Sequence, residues 1–357
     1  MISPGNSLGK RRLRALFSLA LAKLCQNHVM KKNDFNLALK IAMAWMAICL
    51  MLSVGAQAQT YPSKPIRLIV PFPAGGATDI FARTLSQKLA EKLGTSVVVD
   101  NKPGAGGTLG SDMVAKAPPD AYTLLLATSS THSIGPNLNP KMPYDAVRDF
   151  TPIGQVGNAP SIMLVPNSSP AKTVQEWIDY ARKNPGRLNY ASSGNGTIVQ
   201  LTAELFKAQA GVFVVHIPYK DTALAMPDLI SGKVDVLFDS LPTGLPHVRD
   251  GRLRALGVTT ANRTPLAPGV APISDVLPGY ESTTWFGLFG PPGLRPELVN
   301  RINAAANQAL KDAEVADKLQ KLGIEAVGGT PAEFTSMLAS ESAKWKKIIS
   351  ERKISMD

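Results

Sequence analysis

The chain has 357 residues, 45% of them hydrophobic and 18% charged, with a formal net charge of +11. Length allows two domains of ordinary size, and the composition is globular, which excludes a fibrous or disordered chain. The charge is concentrated at one end: residues 1–58 hold eight of the 38 Lys and Arg and a single acid, Asp34, leaving a net +4 over the remainder. So small a charge excludes a nucleic-acid footprint, and no nucleic-acid partner is expected.

Residues 1–58 read as a leader. Met30-Lys31-Lys32 is a basic start, Ile41 to Val54 is an uncharged, mostly apolar run, and Ala56-Gln57-Ala58 fits the small-x-small cleavage pattern. That run is shorter than the roughly 20 residues of a membrane span. Cleavage after about Ala58 and export are expected. Residues 1–29 are an upstream extension or a long n-region, so the start is Met1 or Met30. Cys25 and Cys49 both fall in the removed part, and Ile48 stands where a lipidated cysteine has a small residue. No disulfide or thiol chemistry is expected of the mature chain.

From Tyr61 onward, short apolar runs alternate with amphipathic helices, the pattern of an α/β fold. Strand 66–71 precedes a helix from about Thr78 to Leu93, with Phe81, Leu85 and Leu89 on one face. Strand 96–100, a helix ending near Lys116 and strand 122–128 follow. The second set opens with strand 162–165 and a capping box, Thr173-Val174-Gln175-Glu176, that starts a helix to about Asn184. Strand 188–191, a helix to about Ala210, strand 212–217, a short helix over 223–231, strand 233–238 and strand 253–258 continue it. Trp285-Phe286-Gly287-Leu288-Phe289 is a further strand, and helices are expected over 295–312 and 314–322. Thr330-Pro331-Ala332-Glu333 opens the last helix, which runs to about Glu351.

Three Gly-containing loops, 72–79, 101–108 and 192–197, each follow a strand and precede a helix. Ligands of open α/β sheets bind at the carboxyl ends of strands. Glycine lets backbone N–H groups turn inward, and a helix start adds unpaired donors, so such loops suit an anion. Each is also compatible with a plain strand-to-helix turn. Ser129 and Ser130 follow another strand at the same edge. Asp79 is placed to stabilise its helix or to meet a ligand. Asp239 is placed to bind an amine or hydroxyl or to cap the helix near Leu241. Tyr219 is equally suited to packing and to ligand contact, while Trp285 and Phe286 suit the core.

Enzyme signatures are sparse. Gly104-Ala105-Gly106-Gly107-Thr108-Leu109 has Leu where a dinucleotide fingerprint has its last Gly. There is no P-loop lysine motif and no Gly-x-Ser-x-Gly elbow. His132, His216 and His247 have no metal-ligand spacing. His216 reads as structural; His132 beside Ser129 and Ser130 leaves a serine hydrolase as the alternative. No cofactor or metal is expected.

The stretch from Tyr61 to Arg67 leading into Val70-Pro71-Phe72-Pro73-Ala74-Gly75-Gly76-Ala77-Thr78-Asp79 resembles the opening of the Bug family. These are periplasmic substrate-binding proteins of tripartite tricarboxylate transporters. Asn101 to Gly107, Tyr190 to Thr197, and Val234 to Asp239 followed by Gly251 to Leu256 match further family signatures, so the resemblance covers essentially all of 60–357. It implies a type II periplasmic binding protein: two lobes, a ligand cleft between them and two hinge crossings. Lobe 1 would be 59–160 plus 285–357, and lobe 2 would be 161–284. It implies a non-enzymatic receptor that closes on a small carboxylate and delivers it to membrane transporter subunits, working as a monomer in the periplasm; service to a signalling partner is a variant of the same reading. Phe72, Ala74, Gly75 and Gly76, with Asp79, Ser129 and Ser130, would grip from the first lobe. Ser193, Gly194, Asn195, Gly196 and Thr197 would close from the second, with Tyr219 and Asp239 completing the expected ligand set.

Overall fold

The computed structural model describes residues 61–355, together with Lys40 and Met43. Apart from those two residues the expected leader, with its cleavage position and both cysteines, lies outside the described residues. The first strand, β1 (Ile66–Val70), is aliphatic and almost wholly buried. It bends through Pro71–Gly76 into α1 (Ala77–Leu93), whose Phe81, Leu85 and Leu89 face is fully buried as its spacing predicts. Next come β2 (Val97–Asn101), α2 (Thr108–Ala115) and β3 (Thr123–Thr128). A π-helical turn over Ser130–Ile134 and the short α3 (Gly135–Leu138) have no signal in the sequence reading. Strand β4 then runs for 16 residues, Thr151–Pro166. Alternation resumes with α4 (Val174–Lys183), β5 (Asn189–Ser192), α5 (Ile198–Ala210), β6 (Val215–Pro218), α6 (Thr222–Ile230), β7 (Val236–Ser240), α7 (Leu241–Arg249) and β8 (Leu253–Val258). The chain ends with β9 (Thr283–Gly290), α8 (Pro296–Leu310), α9 (Ala313–Lys321), β10 (Glu325–Ala326) and α10 (Pro331–Arg352). Both expected N-caps form: Thr173 accepts from Glu176 N–H, and Thr330 with Glu333 makes a full capping box. No described helix is long and apolar enough to cross a membrane.

The strands lie in the order β2-β1-β3-β9-β4-β7-β5-β6, with β8 and β10 also paired to β4. β1 is parallel to β2 and β3, and β5 is parallel to β6 and β7. β9 is antiparallel to β3 and β4, so the sheet is mixed. β4 serves two halves. Its residues Thr151 to Pro160 pair with β9, whereas Ser161 to Pro166 pair with β7 and β8. The sequence reading misses the first eleven residues of this strand, because Pro152, Gly154, Gly157 and Pro160 look like loop punctuation. The glycines instead make room for helices. A Cβ at Gly154 would stand 2.6 Å from Asn303 Nδ2, and one at Gly157 would stand 2.9 Å from Phe81 Cε2.

A buried knot of hydroxyls joins the chain where it passes between halves. Thr259 Oγ1 accepts from Ser161 N–H at 2.9 Å and reaches Ser161 O at 3.1 Å. The same hydroxyl bonds Ser282 O, just before β9, and Thr202 Oγ1 meets Ser282 Oγ at 2.6 Å. Each half has its own core. Phe81 stacks on Phe286 in the first at 4.8 Å between centroids, while Trp177, Phe206 and Phe238 pack in the second. Helix α10 touches both: Phe334 packs on Trp285 and Phe289, and Trp345 joins the cluster of Ile162, Leu241 and Val258. From Tyr61 onward the residues group as one unit.

Candidate functional site

The loops at the strand ends enclose a cleft of about 600 Å³ between the halves. Pro71–Pro73, Pro103–Thr108 and Ser130 form one wall; Ser193–Gly196, Tyr219 and Lys220 form the other. The walls touch. Ile198 N–H donates to Ser130 Oγ at 3.0 Å. A Cβ at Gly106, where φ is +63°, would lie 2.9 Å from Asn195 O, so only glycine lets the loops approach this closely. Among the described residues Lys220 is the one charged side chain lining this cleft. Everything else that can hold an anion there is hydroxyl, amide or backbone N–H.

The first bend is held from behind by Asp79. Its carboxylate accepts from Gly75 N–H at 2.9 Å, from Arg83 Nε at 2.9 Å and from Asn101 Nδ2 at 3.0 Å. Asn101 also donates to Phe72 O at 3.0 Å. Burial pushes the Asp79 carboxyl up, but the bonds from Arg83, Gly75 and Asn101 outweigh it and leave it below the ordinary carboxylate range. Asp79 therefore shapes the loop and does not line the cleft. Ala74 and Gly75 are exposed and also lie off the lining.

The second-half loop is built the same way. Ser192 Oγ accepts from Gly194 N–H at 3.1 Å and meets His216 Nε2 at 2.6 Å. Thr197 caps α5 and donates to Gly194 O at 2.7 Å, while Gln200 Oε1 accepts from Gly196 N–H at 2.7 Å. Thr197 thus supports Gly194 and Gly196 from outside the lining. Tyr219 lines the cleft and donates its hydroxyl to Asp228 at 2.8 Å.

Behind Phe72, Ser130 and Ser193 lies a smaller chamber of about 40 Å³, bordered by Gly76, Thr128, Asp221, Asp239 and Thr284 among others. Asp239 is only 1% exposed, and among the described residues neither of its carboxylate oxygens has a hydrogen-bond partner. Burial pushes its carboxyl up to about 6; the Thr243 and Thr222 hydroxyls stand near enough to oppose this in part, and the Asp221 charge adds to it. Helix α7 has Ser240 as its N-cap, so Asp239 does not cap it. Asp221 accepts from Ala223 N–H at 2.9 Å and caps α6, and burial raises its carboxyl as well. Ser129 is buried off both linings, its hydroxyl without a partner among the described residues.

The family model of the tripartite tricarboxylate transporter family receptor matches residues 81–354. The chain belongs to this family. A curated relative from Pseudomonas sp. (strain P51), the UPF0065 protein in the tcbD-tcbE intergenic region, is 40% identical over 296 residues, covering 82% of this chain and 88% of that one. The solved structure of R. palustris Rpa4515 with adipate matches with a TM-score of 0.80 and 35% identity, covering 83% of this chain and 99% of its own. MatC from Rhodopseudomonas palustris with bound malate matches with a TM-score of 0.77 and 30% identity, covering 81% and 100%. The fold is that of the type II periplasmic binding proteins.

The family is one of receptors and not of enzymes, and the hydrolase alternative also fails on geometry. His132 is buried among Phe150, Phe289 and Tyr144, with Nδ1 on Thr131 Oγ1 at 2.9 Å, and burial lowers its pKa to about 3. Neither Ser129 nor Ser130 bonds it; Ser130 instead receives Ile198 N–H. The described residues hold no cluster of His, Cys, Asp and Glu suited to a metal. Of the expected ligand set, Phe72, Gly76, Ser130, Ser193, Gly194, Asn195, Gly196, Tyr219 and Asp239 line the two cavities of this receptor. Lys220, Asp221, Thr128 and Thr284 were not singled out. Lys220 and Asp221 directly follow Tyr219, and Thr128 ends a recognised strand, so proximity to strand ends was the available signal.

Proposed function

We propose that this receptor is exported to the periplasm and closes on a small carboxylate between its two halves. The halves act as lobes, 59–160 plus 285–357 and 161–284, that swing about the crossings at Pro160–Ser161 and Thr284–Trp285. The closed form, a monomer, delivers its ligand to the membrane subunits of a tripartite transporter. The observation that carries this reading is the meeting of the walls across the cleft, where Ser130 of one half receives Ile198 N–H of the other. A ligand that contacts both walls selects the closed state through that differential contact. Lys220 and the glycine-loop amides give the cleft an anion's partners and nothing suited to group transfer. The adipate and malate held by the two R. palustris proteins support the ligand class.

Thermal melting with succinate, malate, adipate and citrate tests this. A bound acid at 100 times its Kd adds about 2.7 kcal/mol, a rise in Tm of roughly 5–10 °C at this size. Gly106→Val, which sets a branched side chain against Asn195 O, should abolish the rise while leaving the unliganded melt cooperative. No shift with any carboxylate would overturn the reading.

A further inference from the structure

We propose that the inner chamber recognises a hydrogen-bond donor carried by the ligand beside its carboxylate, an ammonium or a hydroxyl, so that the preferred ligand is an amino or hydroxy acid. This rests on the carboxylate reading of the cleft. Three strands end at the chamber, and each brings a buried polar side chain: Thr128 from β3, Asp239 from β7 and Thr284 from β9, at 2%, 1% and 4% exposure. Among the described residues, both Asp239 oxygens and both threonine hydroxyls lack hydrogen-bond partners. Asp221 adds a second carboxylate, and no lining residue is a cation. Two ionised carboxylates offer about eight acceptor sites and no proton, whereas each threonine hydroxyl there, Thr222 included, supplies only one, so the set is short of donors. Buried charge of this kind calls for a partner.

Size agrees. About 40 Å³ takes one or two water-sized groups, and a ligand carboxylate there would face two of its own sign. Of the helix starts that border the chamber, α6 is capped by Asp221 and the bend before α1 is bound by Asp79, α5 is capped by Thr197 with its Ile198 N–H already on Ser130 Oγ, and α7 begins at Ser240 beside Asp239 itself. Phe72, Ser130 and Ser193 border both cavities, so a substituent next to an acid group in the cleft reaches the chamber. Asp239 is the only titratable group there besides Asp221, and at pH 7.5 it is mostly ionised.

Titration calorimetry at pH 7.5 decides the matter, with succinate, malate and aspartate as one matched series and adipate with 2-aminoadipate as another. In at least one series the substituted acid should bind about tenfold tighter than its parent or better. A gain for aspartate or 2-aminoadipate alone identifies the donor as an ammonium; a gain for malate identifies a hydroxyl. In Asp239→Asn the ratio of parent to substituted Kd should fall toward one. Thr284→Val, which keeps the charge, should shrink the same ratio by about threefold and serves if the first variant does not fold. Parents that bind as tightly as their substituted partners would overturn the donor site while leaving the carboxylate reading intact. Silence of every acid would overturn both.

Discussion

Asp79 and Asp239 are the same residue at two strand–helix junctions, and their surroundings drive them in opposite directions. Arg83 lies one helical turn from Asp79, and Asn101 arrives from the next strand; together they hold a carboxylate that needs no ligand. Asp239 has no such partners. Little of this difference is legible locally. An Asp at the first turn of a helix announces its role through the dipole and its i+4 arginine. An Asp at the end of a buried strand announces only that it is polar, because its neighbours come from β3, β9 and α6. Its stability effect is checkable. The folded carboxyl keeps its proton up to about pH 6, whereas an unfolded Asp loses it near 4. The penalty is therefore absent below pH 4 and fully present above 6. Asp239→Asn should raise unliganded stability at pH 7.5 by about 3 kcal/mol and change it little at pH 3.5, read by chemical denaturation at both.

At the scale of elements, strands and helices with a clear period were readable; the Thr330–Glu333 capping box forms in full, whereas Thr173 caps its helix while Glu176 turns to Lys172 N–H. Strand β4 was not, since a strand that lies under two helices takes glycine at its crossing points and so imitates a loop. The π-helical turn after β3 was missed for a related reason: its Ser-Thr-His-Ser run carries no periodic apolar signal, and Tyr144 OH secures it by bonding Thr131 O from thirteen residues on. Thr259 is the element-level hub. Its hydroxyl serves Ser161 and Ser282, residues far apart in sequence, and nothing in the Thr259-Thr260 pair after β8 advertises that. Thr259→Val keeps the shape and leaves these buried groups unpaired. A loss of about 1–3 kcal/mol in urea unfolding is expected, against a few tenths for Thr260→Val on the exposed side.

At the scale of the molecule, the α/β class and the convergence of the glycine loops followed from the alternation of elements. The lining of the inner chamber did not, because it is assembled from strand ends that only the finished sheet brings together. The place of β9 has a consequence for how the chain comes into being. This strand, near the carboxyl end, sits between β3 and β4, both made much earlier. Until it arrives, those two strands keep open edges, Phe81 lacks Phe286 and the chamber lacks Thr284. A nascent chain therefore has no complete first half until nearly all of it has been synthesised. A chain stopped at Ser282 should show no cooperative melt and no ligand-induced shift, whereas supplying 283–357 as a separate fragment should restore both; a cooperative melt of the truncated chain alone would show that the edges close without β9.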